Sequence, residues 1–523
     1  MVLAASLSFV SCVDGFVGKN TNPEQATDEM MEYDGLRVGS RFSNMAANVL
    51  PSYQNGEEEY GSDRYQVIQG LAGDIFSGYE GASNPGFNQN NVYNLNPDGW
   101  AKAMFEDAYV RCMGPWMKLY QIQQENPQEN ADEISMANIL KVACMHRVTD
   151  SYGPIPYTKI TTGSLKVEYD SQEDVYKAMF RDLDTAISTL TATLNANPGL
   201  RLLARYDNVF YGDVTKWLQF ANTLRLRLAL RVCYADNALF EEQATAALDN
   251  PFGFITENVA LHKGNSAWQY PIWTIERYND GDAKIGATIA TIMNGFEDPR
   301  REKFFVAGSD GGYHGVRMGA TINDNYPKST LFSTTNCTND SPLQWMSGAE
   351  SFFLQAEYFL RKGEDAQAKT FYEDGITQSF KLLGAGDATA YIGITDKTPG
   401  TYTDPVTAGN SYNTALSSVS IAWDSQTTFE GHLEQIITQK YIAGFPEGQE
   451  AWSEFRRTGY PKVIPTVRNN SNGTIDTNKQ IRRLVYPTSE YSANGANVAG
   501  GVALLGGADT GGTRLWWDKN SRF

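Results

Sequence analysis

The chain has 523 residues, 41% of them hydrophobic, and its 43 Lys and Arg against 61 Asp and Glu leave a net charge of −18 at pH 7. This acidic balance repels phosphate backbones and anionic lipid and so excludes nucleic-acid binding as a main role, and the hydrophobic content excludes intrinsic disorder. Aromatic residues reach 12%, with 28 Tyr and 10 Trp, enough to supply a large core or a surface that stacks on ligands.

Residues 1–11 read MVLAASLSFVS, an apolar stretch of signal-peptide length that is too short to span a bilayer. With Cys12 behind it, the stretch resembles a bacterial lipobox, in which the Cys is acylated and tethers a soluble body to a membrane. Phe9 stands where Leu is usual and no Lys or Arg precedes the stretch, so residues 1–12 read as a signal peptide and lipobox truncated at its start. Asp14 resembles the acidic signal that sends some lipoproteins to the outer face. Cys112, Cys144, Cys233 and Cys337 are too sparse for a disulfide scaffold, and the scattered His146, His262, His314 and His432 do not suggest zinc.

Periodicity predicts helices over 99–126, 132–150, 171–194 and 213–234, with Pro115 kinking or breaking the first. In the third, Val175, Met179, Leu183 and Ile187 recur on one face, and Ser171 with Asp174 makes a capping-box-like start. A pair over 347–361 and 365–380 carries Ala349, Phe353, Ala356 and Leu360 on one stripe and Ala368, Tyr372 and Ile376 on the other. Small residues at those contacts let two antiparallel helices approach closely, as in a tetratricopeptide hairpin. A last pair is predicted over 433–445 and 449–457. The fold class is mainly α, with helical hairpins as scaffold and little β.

Long Gly-, Asn- and Tyr-rich loops are predicted over 54–97, 264–278, 308–337, 384–428 and 486–517. Loops on a helical base usually carry binding. Trp268, Tyr270, Trp273 and Tyr278 crowd one of them, and Tyr79, Tyr93, Tyr313 and Trp423 lie in others. Each ring either anchors its loop or offers a flat face to a sugar or peptide side chain. Arg225, Arg227 and Arg231, with Arg456 and Arg457, read as structural ion pairs for the acidic surplus. Nucleotide, hydrolase-elbow and kinase signatures are absent, so no catalytic residue is nominated. No cofactor is indicated, although Asn279, Asp280 and Asp282, or Asn323 and Asp324, offer oxygen ligands for a structural calcium ion.

Several segments together resemble the SusD/RagB family of nutrient-binding outer-membrane lipoproteins. They are DGFVGKNTNPEQAT at 14–27, VTDSYGPIPYTKI at 148–160 with YDSQEDVYKAMFRDLDTAI behind it, and DVTKWLQFANTLRLRLALRV at 213–232. AESFFLQAEYFLRKG at 349–363, QKYIAGFPEGQEAWSEFRRTGYP at 439–461, RRLVYPTSEYSAN at 482–494 and TRLWWDKN at 513–520 follow in the family's order, most like its second SusD-like group. The resemblance implies one SusD-like domain over 13–523, with tetratricopeptide-like helix pairs that pack on a barrel. It further implies a non-enzymatic, lipid-anchored protein on the extracellular face of the outer membrane, acting as the lid of a SusC-like TonB-dependent transporter. Its ligands would be oligosaccharides or oligopeptides. The alternative is a surface glycoside hydrolase or other glycan-modifying enzyme, whose two carboxylates no spacing rule reveals.

Overall fold

A computed structural model describes residues 35–51, 64–164, 166–264, 269–277 and 280–522. Its longer helices begin with α1 (Leu36–Ala46), α2 (Gly114–Glu125), α3 (Ala131–Tyr152), α4 (Gln172–Ala196), α5 (Val214–Val232) and α6 (Asn237–Leu248). They continue with α7 (Ala287–Phe296), α8 (Glu350–Arg361), α9 (Asp365–Leu383), α10 (Phe429–Gly444), α11 (Gly448–Thr458) and α12 (Thr488–Leu505). The mainly α fold class is as expected. Helices α3 and α4, α5 and α6, and α8 and α9 pack as neighbouring pairs.

Local chemistry explains the helix starts. The Ser171 hydroxyl accepts from the Asp174 amide at 3.1 Å and the Asp213 carboxylate from the Lys216 amide at 3.2 Å, each satisfying a donor that the helix leaves open. Ala349, Phe353, Ala356 and Leu360 on one helix, and Ala368, Tyr372 and Ile376 on the next, are buried in one apolar cluster, as the two stripes predict. The helical path is not broken at Pro115. A short helix, Ala103–Ala108, runs through a π-helical turn, Tyr109–Met113, into α2, and Pro115 falls in the first turn of α2. The π turn directly before it lets the helical path run on although proline has no amide to donate.

Two predicted loops contain long helical runs, and two more contain short helices, Pro271–Ile275 and Thr389–Ile392. The 54–97 loop contains a π-helical run, Gln66–Asp74, that continues into Ile75–Ser77. Gly73 meets the backbone of Gln449, where a Cβ would come within 2.6 Å of the amide nitrogen, so only glycine lets this run cross α11 so closely. The 486–517 loop contains α12, whose glycines mask its helical character.

Three short antiparallel pairs stitch the loops down: β1 (Glu80–Ala82) with β3 (Ala283–Ile285), β2 (Val259–Leu261) with β6 (Leu343–Met346), and β4 (Phe305–Val306) with β5 (Thr334–Thr335). Most of the core lies in two apolar clusters, one centred on α1 to α6 and one on α7 to α10.

Where α3, α5, α8, α10 and α11 converge, the interior is ionic. Arg231 is fully buried and reaches Glu450 at 2.5 Å, Glu454 at 2.6 Å and Asp150 at 3.3 Å. Arg227 forks onto Glu350 with bonds of 2.7 and 2.6 Å. Arg457 forks onto Glu357 and also meets Glu454, while Lys440 lies 3.1 Å from Glu450 and 3.4 Å from Glu350. The ion pairs read from the sequence are present at Arg225, Arg227, Arg231 and Arg457, but Arg456 instead donates to the Asp150 and Arg482 carbonyls and lies over the Trp452 ring. Burial alone would raise the Glu357 carboxyl, but Arg457 and Arg361 hold it at about 2, and three cations hold Glu450 well below the usual range. Folded values this low mean that their contribution is present above about pH 4.5 and lost as pH falls toward 2.

Asp74, at the end of the π-helical run, behaves oppositely. Its oxygens accept from Gln69 at 2.7 Å, Tyr65 at 3.0 Å and the Gly448 amide at 3.2 Å, yet burial pushes it up to about 8. The unfolded carboxyl ionises near 3.8, so the stability it lends is full below that pH and is lost as pH rises through about 8. Asp74→Asn, which keeps the shape and can donate to Tyr65, is expected to flatten the pH dependence of the urea midpoint between pH 4 and 8. A slope identical to wild type would return that dependence to other groups.

Candidate functional site

Among the described residues, a cleft of about 530 Å³ opens beside the helical path 100–113. That volume is in the range of small-ligand sites. Gly99 delivers the chain into a 3-10 turn, Trp100–Lys102, and the Gln89 side chain accepts from the Trp100 amide at 3.1 Å, which fixes where the indole starts. The ring packs edge-on against Phe87 at 5.0 Å and remains half-exposed. Val110 is 72% exposed on the π-helical turn and, with Val67 and Ala103, adds apolar surface.

Charged groups on the walls are paired with one another. Arg64 forks onto Asp107, Arg111 lies 3.2 Å from Asp107, and Lys102 lies 3.7 Å from Glu106. Glu106 also accepts from the Ser489 hydroxyl at 2.6 Å, which draws the start of α12 to the rim. An apolar floor with one indole and a paired polar rim suits a ring that is apolar on its face and polar at its edge, as a pyranose is.

Carboxyls raised far enough to act as acids near neutral pH lie elsewhere. Burial lifts Asp74 to about 8 and Glu276 to about 7, the latter against hydrogen bonds from Thr335. Burial and the charges of Asp74 and Glu276 lift Glu80 well above its usual value. All three are buried, and none lines the cleft.

The aromatic residues nominated from the sequence do not form one platform. Trp268, Tyr278 and the lipidation candidate Cys12 lie outside the described residues. Tyr79, Tyr93, Tyr270 and Trp423 are core residues, and a buried ring has no face to offer a ligand. Tyr79 packs on Tyr441 and Phe445 at 4.5 and 5.3 Å, and Trp423 stacks on His432 at 4.0 Å and seals its loop against the α8–α9 pair. Loop position suggested exposure for these four; packing partners distant in sequence overrode it. Trp273 and Tyr313 are half-buried, with the Arg277 guanidinium 4.7 Å over one ring and Arg301 4.4 Å over the other.

The calcium candidates fare similarly. Asp282 is buried, and its oxygens accept from the Asn84 and Gln66 amides at 2.6 and 3.1 Å, which is amide rather than cation chemistry. Asn323 closes a turn by accepting from the Asn325 amide at 3.0 Å. Asn279 lies outside the described residues, and among those described no group of three His, Cys, Asp or Glu side chains is placed to hold a metal ion.

Trp100 was legible in the sequence only as the head of a helix. The usable signal was the Gly99 immediately before it, which leaves a bulky ring at an exposed helix start.

The chain resembles one family throughout its length. A family model described as SusD-like, "Susd and RagB outer membrane lipoprotein", matches residues 18–518. Among solved structures, it is similar to a chitin-binding SusD homologue from Flavobacterium johnsoniae, at 36% identity and a TM-score of 0.85, covering 92% of this chain and 99% of that one. A SusD homologue from Bacteroides vulgatus is 35% identical with a TM-score of 0.86, covering 94% and 99% of the two chains. One from Bacteroides uniformis is 34% identical with a TM-score of 0.85, covering 92% and 99%. No curated protein matches.

Proposed function

The chain belongs to the SusD-like family of outer membrane lipoproteins, and from this we propose that it is a non-enzymatic capture protein for oligosaccharides at the cell surface. The chief support is its 36% identity, over nearly the whole of both chains, to a protein described as chitin-binding. The cleft at Trp100 is the proposed stacking site; the nominated Trp273 and Tyr313 are half-buried, each with an arginine over its ring. Chitin fragments are the first ligands to try.

Delivery would be to a SusC-like TonB-dependent barrel, with this protein as its lid. Acylation of Cys12 would hold it at the outer face of the outer membrane. No helix among the described residues is long and apolar enough to cross a membrane.

Trp100→Ala is expected to weaken binding of chitin fragments, or of the glycan that replaces them in a screen, about tenfold by calorimetry. Unchanged affinity would remove the cleft from the site. Binding of peptides with silence toward every glycan would move the ligand to oligopeptides, and release of shortened sugars by the pure protein would favour the glycoside hydrolase alternative.

A further inference from the structure

The turn that joins α4 to α5 holds Tyr211 in the left-handed region, at φ 54°. A residue with a Cβ pays for that conformation, a bulky one most, whereas glycine or asparagine adopts it readily. Burial does not offset this, because Tyr211 is 49% exposed. Stability alone would favour a smaller residue here.

The turn is nonetheless tightly built. Asp207, fully buried, accepts from the amides of Val209, Phe210 and Gly212 at 2.8, 3.2 and 2.8 Å and from the Trp217 indole at 2.8 Å. Arg201 donates to the Tyr211 carbonyl at 2.9 Å. The ring is thus held outward rather than left to wander. Beside it lies His262, with ring centroids 5.8 Å apart and planes tilted by 33°, and the His262 amide donates to the Asn208 carbonyl at 2.9 Å, tying β2 to the turn. The next residue, Lys263, pairs with Asp340 at 2.6 Å. Two tilted aromatic rings thus lie side by side at the surface, with the Lys263–Asp340 pair next along the chain from His262.

We propose that Tyr211 and His262 form a second carbohydrate subsite, away from the Trp100 cleft, that takes one pyranose ring of an oligosaccharide by its C–H face. The proposal rests on the capture reading above. Strain with no stabilising return is the signature of a side chain kept for what it touches.

Calorimetry with chitin fragments and a glycan panel, from disaccharide to hexasaccharide, tests it on wild type, Tyr211→Asn, Tyr211→Trp and Trp100→Ala. Tyr211→Asn is expected to lower affinity for the longer fragments about fivefold. Its urea midpoint should equal or exceed that of wild type, because asparagine relieves the strained backbone, and Tyr211→Trp should keep the binding. Binding by wild type that Trp100→Ala weakens and Tyr211→Asn leaves unchanged would overturn this subsite and spare the capture reading. Loss of stability together with affinity in Tyr211→Asn would make the residue structural and also overturn it. Wild type silent toward every glycan would overturn both readings.

Discussion

Arg231→Met should cost about 3–5 kcal/mol of unfolding free energy, read from the urea midpoint. The substitution keeps an apolar stem of similar length but removes the one cation that joins Asp150, Glu450 and Glu454, leaving Asp150 without its guanidinium and the cluster one positive charge short. The loss reflects uncompensated carboxylates more than the worth of the pairs themselves, since a buried pair repays little beyond its own desolvation. Lowering the pH should therefore recover part of the variant's deficit, because protonating the stranded acids removes their repulsion. A variant within 1 kcal/mol of wild type would mean that water or a shift of Lys440 and Arg457 replaces the lost charge.

Asp207→Ala should be nearly as damaging, at about 3–5 kcal/mol, because one carboxylate satisfies three amides and an indole that are otherwise buried without partners. It should also loosen the Tyr211 turn and so reproduce the binding loss of Tyr211→Asn, this time with a falling midpoint. Asp207→Asn, which turns one acceptor into a donor facing donors, should fall between the two. Full stability in Asp207→Ala would show that this turn is not held from inside.

The scaffold was readable because its signals are local. A serine three residues before an aspartate and apolar residues at fourfold steps each act within one turn of helix, so Ser171 and the Ala349 stripe announced their roles. The ionic cluster was half readable. Alternating arginines on an otherwise apolar helix such as α5 require buried partners, but which carboxylates answer them depends on helix crossings that no spacing encodes. Helix α12 was missed because glycine argues against helix, although Gly501 lies against the Tyr169 ring and needs to be small there. The aromatic loops failed for a related reason: a tyrosine that stacks on sugar and one that packs under a neighbouring helix look alike in one dimension. Tyr79 and Trp423 are of the second kind. Tyr211 escaped notice because the value of its position lies in a dihedral angle.

The ionic cluster also sets a timetable. Its cations on α3 and α5 precede most of their carboxylates by about 120 to 300 positions, and Glu450 and Glu454 arrive only with α11. A polypeptide delivered from its amino end has only Asp150 with which to neutralise Arg231 until that late segment emerges. Closing the first helices without that segment would bury Arg231 with one carboxylate instead of three, a cost that favours locking the cluster only once α11 is present. Fragments that stop before Gly448 should remain open, and one supplied later with residues 429–522 as a separate piece should close around it.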